Sequence, residues 1–255
     1  MPMTPDKNSQ VIIDAPVLVL VGPTAIGKTA LSLELADRFH CEIVSVDSMQ
    51  VYRYMDIGTA KPSAAEQGRA VHHLIDIVNP DHHFDAAQFV RHALAAVDSI
   101  IKRDRIPLLT GGTGMYLKAL LHGLFDFDTA AHKTVRRDLA RQLVDKGNQQ
   151  LYEQLLQVDP ETASRIHPND VQRLLRALEI FLVSGQPWSD HLRDQSSAPV
   201  QFKNIRLFGL NCDRRLLYER IENRSRQMLK DGLIREVEGL REMGYTSSLL
   251  SMQSI

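Results

Sequence analysis

A run of apolar, mostly β-branched residues, Val17-Leu18-Val19-Leu20-Val21, leads directly into Gly22-Pro23-Thr24-Ala25-Ile26-Gly27-Lys28-Thr29. The run has the length and composition of a strand buried on both faces. The residues after it fit G-x-x-x-x-G-K-[ST], a phosphate-cradling loop. Leu31, Leu35 and Phe39 then recur at helical spacing, so the loop opens a helix. Strand, glycine-rich loop and helix in this order aim backbone N–H groups and the positive end of a helix dipole at an anion. Gly22, Thr24, Ala25, Ile26 and Gly27 form the expected cradle for a di- or triphosphate. Lys28 is expected to meet a phosphate as a point charge, and the Thr29 hydroxyl to hold a magnesium ion.

The rest of the chain repeats the same alternation. Glu42–Val46 reads as a second strand ending at Asp47, His72–Val78 as a third, and Ile106–Thr110 as a fourth. An amphipathic helix is expected over 85–102, with Phe89, Val90, Ala93, Leu94, Val97, Ile100 and Ile101 on one face. Strands alternating with helices imply a parallel sheet. From about Phe127 the strand signals stop, and helices are expected near 132–146, 148–157 and 168–184. Strand character returns at Ile205–Leu210, followed by a helical stretch over 213–243. The expected fold is therefore α/β, a P-loop NTPase-like parallel sheet flanked by helices with an all-helical insertion. The expected boundaries are a core over 1–126 and 201–255 and an insertion over 127–200. Residues 1–15 are polar and read as a loose arm.

A net charge of −1 over 255 residues leaves no global signal for nucleic acid or membrane, so any basic surface must be local. Cys41 and Cys212 lie far apart beside expected strands, and read as buried thiols. The chain lacks an apolar run of membrane-spanning length, and a reduced cytoplasmic protein is expected. The pairs His72-His73 and His82-His83 suit surface or hydrogen-bonding roles better than a shared ion, because neighbours on a strand point to opposite faces.

Ligands in parallel sheets sit beyond the carboxyl ends of the strands, where both Gly22 and Asp47 fall. Asp47 is therefore a candidate base or magnesium partner. Gly111-Gly112-Thr113-Gly114 is either a tight strand-to-helix connection or a second close backbone approach to the ligand. Gln172, Arg173 and Arg176 lie off the apolar stripe of their helix, a solvated face or a set of donors for base edges and phosphates. Arg136 belongs to a local basic excess in the helix near 132–146. Arg220 and Arg224, four apart, are either solvated or a clamp on phosphate.

Taken together and in order, these segments resemble the tRNA dimethylallyltransferases (tRNA isopentenyltransferases). The matching motifs are Gly22–Thr29, Asp47-Ser48-Met49-Gln50-Val51-Tyr52, Gly58-Thr59-Ala60-Lys61-Pro62, His73-Leu74-Ile75-Asp76, Gly111-Gly112-Thr113 and Gln172–Glu179. The resemblance implies transfer of a dimethylallyl group from dimethylallyl diphosphate to N6 of adenosine 37 in tRNA, with the loop holding that diphosphate and not ATP. It makes Asp47 the base near the adenine amine and Thr113 the residue near the leaving oxygen. Asp47, Ser48, Met49, Gln50 and Thr113 then touch the extruded nucleotide. Gln172, Arg173, Leu174, Leu175 and Arg176, with Arg136, contact tRNA, and one of Arg220 and Arg224 binds diphosphate. Magnesium is the expected cofactor and a monomer the expected state.

Members of the family continue into further helices beyond the point where this chain stops, Met252-Gln253-Ser254-Ile255, so the chain is expected to be C-terminally truncated. A small-molecule or nucleotide kinase is the alternative, since the same loop suits phosphoryl transfer. It predicts ATP hydrolysis without tRNA. A non-catalytic RNA-binding module predicts tRNA affinity indifferent to diphosphates.

Overall fold

In the computed structural model, which describes residues 11–123, 129–194 and 200–254, the first elements are β1 (Val11–Ile13), β2 (Val17–Val21) and α1 (Lys28–Phe39). They are followed by β3 (Cys41–Ser45), α2 (Ala64–Arg69), β4 (His72–His73), α3 (Ala86–Ile101), β5 (Ile106–Thr110) and α4 (Gly114–His122). Helices α5 (Thr129–Val158), α6 (Pro160–Ala163), α7 (Val171–Ser184) and α8 (Trp188–Asp194) come next. The chain then forms β6 (Val200–Phe202), β7 (Ile205–Gly209), α9 (Arg214–Asp231) and α10 (Leu233–Glu242). It divides into two compact units, one drawn from Met1–Leu121 and Pro199–Ile255, the other from His122–Ala198. The expected boundary at 126/127 lies outside the described residues.

The sheet unit holds a five-stranded parallel sheet in the order β4-β3-β5-β2-β7. Register explains why its inner strands β3, β5 and β2 are largely apolar on both faces. Ile43 pairs with Leu108 and Leu108 with Leu18, while Val44 pairs with Leu109 and Leu109 with Val19. Successive residues point to opposite faces, so these rows serve two cores. Ile43, Leu108 and Leu20 pack with Leu33 and Ala36 of α1. Val44, Leu109 and Val19 pack with Phe89, Ala93, Val97 and Ile100 of α3. Covering each such side chain contributes about 1.5–3 kcal/mol, which is why a five-residue apolar strand is stable only between two helical layers. This is the α/β, P-loop NTPase-like arrangement. Among the described residues, no helix is long and apolar enough to cross a membrane.

Helix α3 begins at Asp85 through a reciprocal cap: Gln88 N–H donates to Asp85 Oδ1 at 2.8 Å, and Asp85 N–H donates to Gln88 Oε1 at 3.1 Å. Helix α1 buries Ser32, Leu33 and Ala36, whereas Phe39 is exposed, so the expected stripe is shifted. Two strand expectations also need correction. The third strand shrinks from 72–78 to His72–His73, because Leu74 (φ 65°) and Asp76 (φ 56°) take left-handed backbone that no strand accepts. The expected loose arm instead contains β1, which pairs in parallel with β6; residues 1–10 lie outside the described residues. The helical stretch over 213–243 is broken at Gly232 (φ 105°), which caps α9 and starts α10.

The helical unit is built around Leu139, Leu151, Leu155, Ala163, Leu174, Ala177 and Leu178. Gly147 (φ 77°, ψ 168°) kinks α5 into two helices, as the separate stretches in the sequence imply. Asp170 caps α7 by accepting from the Arg173 N–H at 3.2 Å, and Gly185 (φ 74°) ends it.

Candidate functional site

The carboxyl ends of β2, β3 and β5 lie side by side, and Lys28, Asp47, Arg220 and Arg224 hang from one of them or face them from α9. After β2 the chain turns through Gly22, whose added Cβ would lie 2.9 Å from the Leu210 carbonyl oxygen, closer than a side chain tolerates. Ala25 (φ 60°) and Gly27 (φ 106°) bend the loop back so that α1 starts without a side-chain cap on its N–H groups. Uncapped N–H groups at a helix start are donors for an anion. Lys28 donates to the carbonyl oxygens of Gly22 and Pro23, both at 2.8 Å, which ties its ammonium across the loop's mouth. Burial pushes the Lys28 amine below the ordinary lysine value, and the charge of Asp47 counteracts part of that shift.

A cavity of about 500 Å³ opens over this loop. Lys28, Thr29, Asp47, Gln50, Arg220 and Arg224 all line it. Asp47 follows β3 by two residues, and its Oδ1 accepts from the N–H groups of Met49 (2.9 Å) and Gln50 (3.3 Å). That turn fixes the carboxylate, whose Oδ2 faces Gly112: a Cβ there would sit 3.5 Å away. The side chain of Gln50 is committed at both ends, accepting from Ser45 Oγ at 2.9 Å and donating to the Ala60 carbonyl at 3.2 Å. Met49 packs on the core beneath α3.

Gly111 is required by a close approach of two strand ends. A Cβ on it would lie 2.0 Å from the Val46 carbonyl oxygen, whereas Gly112 has ordinary room and lines the cavity. The tight-connection reading therefore holds at Gly111, and Gly112 lies on the cavity wall. The Thr113 hydroxyl accepts from the Ser48 N–H at 2.9 Å and donates to Ser48 Oγ at 3.2 Å. Thr113 lines a smaller cavity of about 130 Å³ between the ends of β2 and β5, not the larger one.

Helix α9 supplies the opposite wall. Arg220 donates to the Ile26 carbonyl at 3.3 Å and Arg224 to Thr24 Oγ1 at 3.4 Å, so both arginines reach the phosphate loop. Burial lowers the Arg224 guanidinium below the ordinary arginine value, and Asp47 partly restores it. Of the histidines, His72 bonds the Ala70 carbonyl at 2.8 Å and His73 pairs with Glu42 at 2.7 Å. Cys41 is buried and Cys212 only half-buried, so the expectation of two buried thiols holds for the first alone.

The helical unit contains a cluster of its own. Glu179, with its side chain 3% exposed, accepts at Oε1 from Arg136 Nε and bonds His132 Nδ1, both at 2.6 Å. Its Oε2 accepts from Arg176 Nη1 at 2.9 Å. Burial pushes the Glu179 carboxyl up, but the hydrogen bonds from Arg176, Arg136 and His132 outweigh it and hold the group below the ordinary glutamate value. Arg173 is 69% exposed and pairs with Asp170 at 3.1 Å, and Gln172 is exposed.

Comparison with known proteins decides the family. Residues 50–255 match the family described as IPP transferase. A tRNA dimethylallyltransferase of Desulfotalea psychrophila is 54% identical over 89% of this chain and 72% of its own length.

The chain belongs to the IPP transferase family.

A tRNA dimethylallyltransferase 2 of Geotalea uraniireducens is 48% identical over 94% of this chain and 76% of its own length. The crystal structure of a tRNA isopentenylpyrophosphate transferase from Staphylococcus epidermidis is similar at a TM-score of 0.62 and 40% identity. That similarity covers 94% of this chain and 77% of that one. A eukaryotic dimethylallyltransferase captured acting on tRNA reaches a TM-score of 0.74 at 30% identity, over 90% of this chain and 56% of that one. This chain, like other members of the IPP transferase family, is an enzyme. Among the residues that resemblance to the family singles out, the Leu174 side chain is wholly buried in the helical core, and Leu175, half-buried, packs against it. Sequence reasoning missed Ser45, Asn223 and His72 on the cavity wall. Asn223 alone carried a signal, lying on the same turn of α9 as Arg220 and Arg224.

Proposed function

We propose that this chain transfers a dimethylallyl group from dimethylallyl diphosphate to N6 of adenosine 37 in tRNA and releases diphosphate. The observation that carries this reading is one cavity holding both a phosphate loop with its lysine and a fixed carboxylate, in a member of a family whose relatives are named tRNA dimethylallyltransferases.

The exocyclic amine of adenine is a poor nucleophile because its lone pair is delocalised into the ring. Asp47 accepts its proton as the bond from N6 to C1 of the prenyl group forms. The C1–O bond breaks, and the diphosphate leaves with the electron pair. The growing charge is met by the loop N–H groups, Lys28, Arg220 and Arg224, which stand on two sides of the cavity. Thr113 is the hydroxyl assigned to the leaving oxygen: it stands in the smaller cavity, which shares Thr110, Gly111 and Gly112 with the larger one, and its bonds to Ser48 hold it in place. Magnesium takes oxygen donors and keeps several waters, and the Thr29 hydroxyl on the cavity wall suits it. Thr29 would hold the ion, which supplies countercharge to the diphosphate when bound. An anticodon-loop base costs little to extrude, so the amine can reach a recessed carboxylate. Gln172, Arg173, Arg176 and Arg136 grip the anticodon stem-loop, the last three as phosphate partners.

Calorimetry with magnesium tests the ligand. Dimethylallyl diphosphate is expected to bind more tightly than ATP, and Lys28→Ala to weaken it. Tighter ATP binding with tRNA-independent hydrolysis would make the protein a kinase.

A further inference from the structure

Three consecutive backbone N–H groups, those of Asp56, Ile57 and Gly58, converge on one carboxylate almost at the other end of the chain. Glu236 Oε2 accepts from Asp56 at 2.8 Å and Ile57 at 2.7 Å, and Oε1 accepts from Gly58 at 2.9 Å. Successive N–H groups around an anion make a concave nest, and a charged acceptor strengthens each bond. On one side of this contact the segment runs on into Thr59, Ala60 and Pro62, which line the large cavity. On the other side, Glu236 lies in the first turn of α10, joined through Gly232 to α9, whose Arg220, Asn223 and Arg224 line the same cavity.

We propose that Glu236 is a positioning residue that fastens the Asp56–Pro62 wall of the phosphate cavity to the α9 wall, so that both meet the ligand in one geometry. The backbone on either side of the three N–H groups takes disfavoured conformations. Tyr54 (φ 68°) and Ala60 (φ 47°) are left-handed without being glycine, a conformation that persists only where surrounding contacts impose it. Lys61, its side chain 3% exposed, supplies part of that constraint through Asp56 (2.5 Å), Asp76 (2.6 Å) and the Tyr52 carbonyl (2.9 Å). Those bonds all stay within the 52–76 region. Glu236 instead ties this region to α10, which follows α9 directly through Gly232. A diphosphate gripped by loop, lysine and arginines together gains affinity when the walls are already in register, since ordering them is then not charged to binding. The inference rests on the reading that this cavity holds the diphosphate of dimethylallyl diphosphate.

The test uses the full chain with Glu236→Ala and Glu236→Gln. Steady-state transfer is measured with each substrate varied, together with calorimetry of dimethylallyl diphosphate and of inorganic pyrophosphate. Glu236→Ala is expected to raise KM and Kd for the prenyl diphosphate about tenfold, or about 1.4 kcal/mol, with the KM for tRNA unchanged. Glu236→Gln should fall between, because its amide keeps one acceptor oxygen but sets an N–H against the remaining donor. A Gln or Ala variant that melts like the wild type and binds both ligands with wild-type affinity would overturn the proposal. So would equal rises in KM for tRNA and diphosphate, which mark general loosening. If the wild type binds pyrophosphate but not the prenyl diphosphate, the functional reading fails alone, and the pyrophosphate arm still decides the role of Glu236.

Discussion

Gly111→Ala places a methyl group where the backbone of Val46 already lies. The new Cβ would stand 2.0 Å from the Val46 carbonyl oxygen, 2.3 Å from its carbon and 2.8 Å from its Cα, against a practical limit of 3.0 Å. The ends of β3 and β5 must therefore part by about 1 Å, the scale at which well-packed interiors respond with backbone shifts. Two hydrogen bonds cross this point, Val46 N–H to the Thr110 carbonyl at 2.8 Å and Thr113 N–H to the Val46 carbonyl at 3.0 Å. Overpacking costs about 1–3 kcal/mol, and each strained bond adds roughly 0.5–1.5 kcal/mol. The sum is about 2–6 kcal/mol, or a fall in Tm of roughly 4–24 °C for a chain of this size. Asp47 directly follows Val46, so the carboxylate moves with the strand, and a 1 Å misplacement costs on the order of 10²-fold in rate. Thermal denaturation and single-turnover transfer read the two effects separately. Gly112→Ala is the control: its nearest neighbour would be Asp47 Oδ2 at an ordinary 3.5 Å, and its melting should stay within about 2 °C of wild type. A Gly111→Ala protein that melts and turns over like the wild type would refute the argument that this glycine exists to let the two strand ends meet.

Asp47→Asn keeps the size of the side chain but cannot take a proton, so single-turnover transfer should fall about 10²–10⁴-fold with little change in binding of either substrate; a near-normal rate removes Asp47 from the chemistry. Glu179 has its carboxyl held below the ordinary value, so its contribution to stability is complete above the unfolded pKa of about 4.3 and is lost as pH falls through the folded one. Glu179→Gln should lower Tm at pH 7 and flatten the acid side of the stability profile, which melting curves between pH 3 and 7 would show. Arg173→Ala should weaken tRNA binding and reduce its salt slope by roughly one, leaving the melting temperature within about 2 °C of wild type. Arg176→Ala should destabilise the helical unit as well, because it strips a partner from buried Glu179.

What could be read from the chain without coordinates was whatever is decided locally. The phosphate loop, the apolar strands β2, β3, β5 and β7 and the capped helices α3 and α7 each carry their pattern within a dozen or so residues. The strand expected over His72–Val78 failed because alternation in composition says nothing about the left-handed turns at Leu74 and Asp76, which tertiary bonds such as that from Lys61 to Asp76 impose. β1 and β6 are three residues each and are strands only because they pair with one another across most of the chain. The same distance hid the roles of Glu236 and Glu179. Glu179 stood in plain view at the end of the Gln172–Glu179 motif, yet its three partners come from α5 as well as its own helix. Arg220 and Arg224 were legible as a spaced pair; that both reach the phosphate loop required the fold of α9 back onto it.

The central claim is a covalent one, and a product analysis tests it most directly. The chain is incubated with magnesium, dimethylallyl diphosphate labelled in its prenyl group and unmodified tRNA, and the tRNA is digested to nucleosides. The account predicts label in a single nucleoside, N6-(dimethylallyl)adenosine, derived from position 37, and one diphosphate released per transfer. Label absent from the tRNA while the same protein converts ATP to ADP would contradict it.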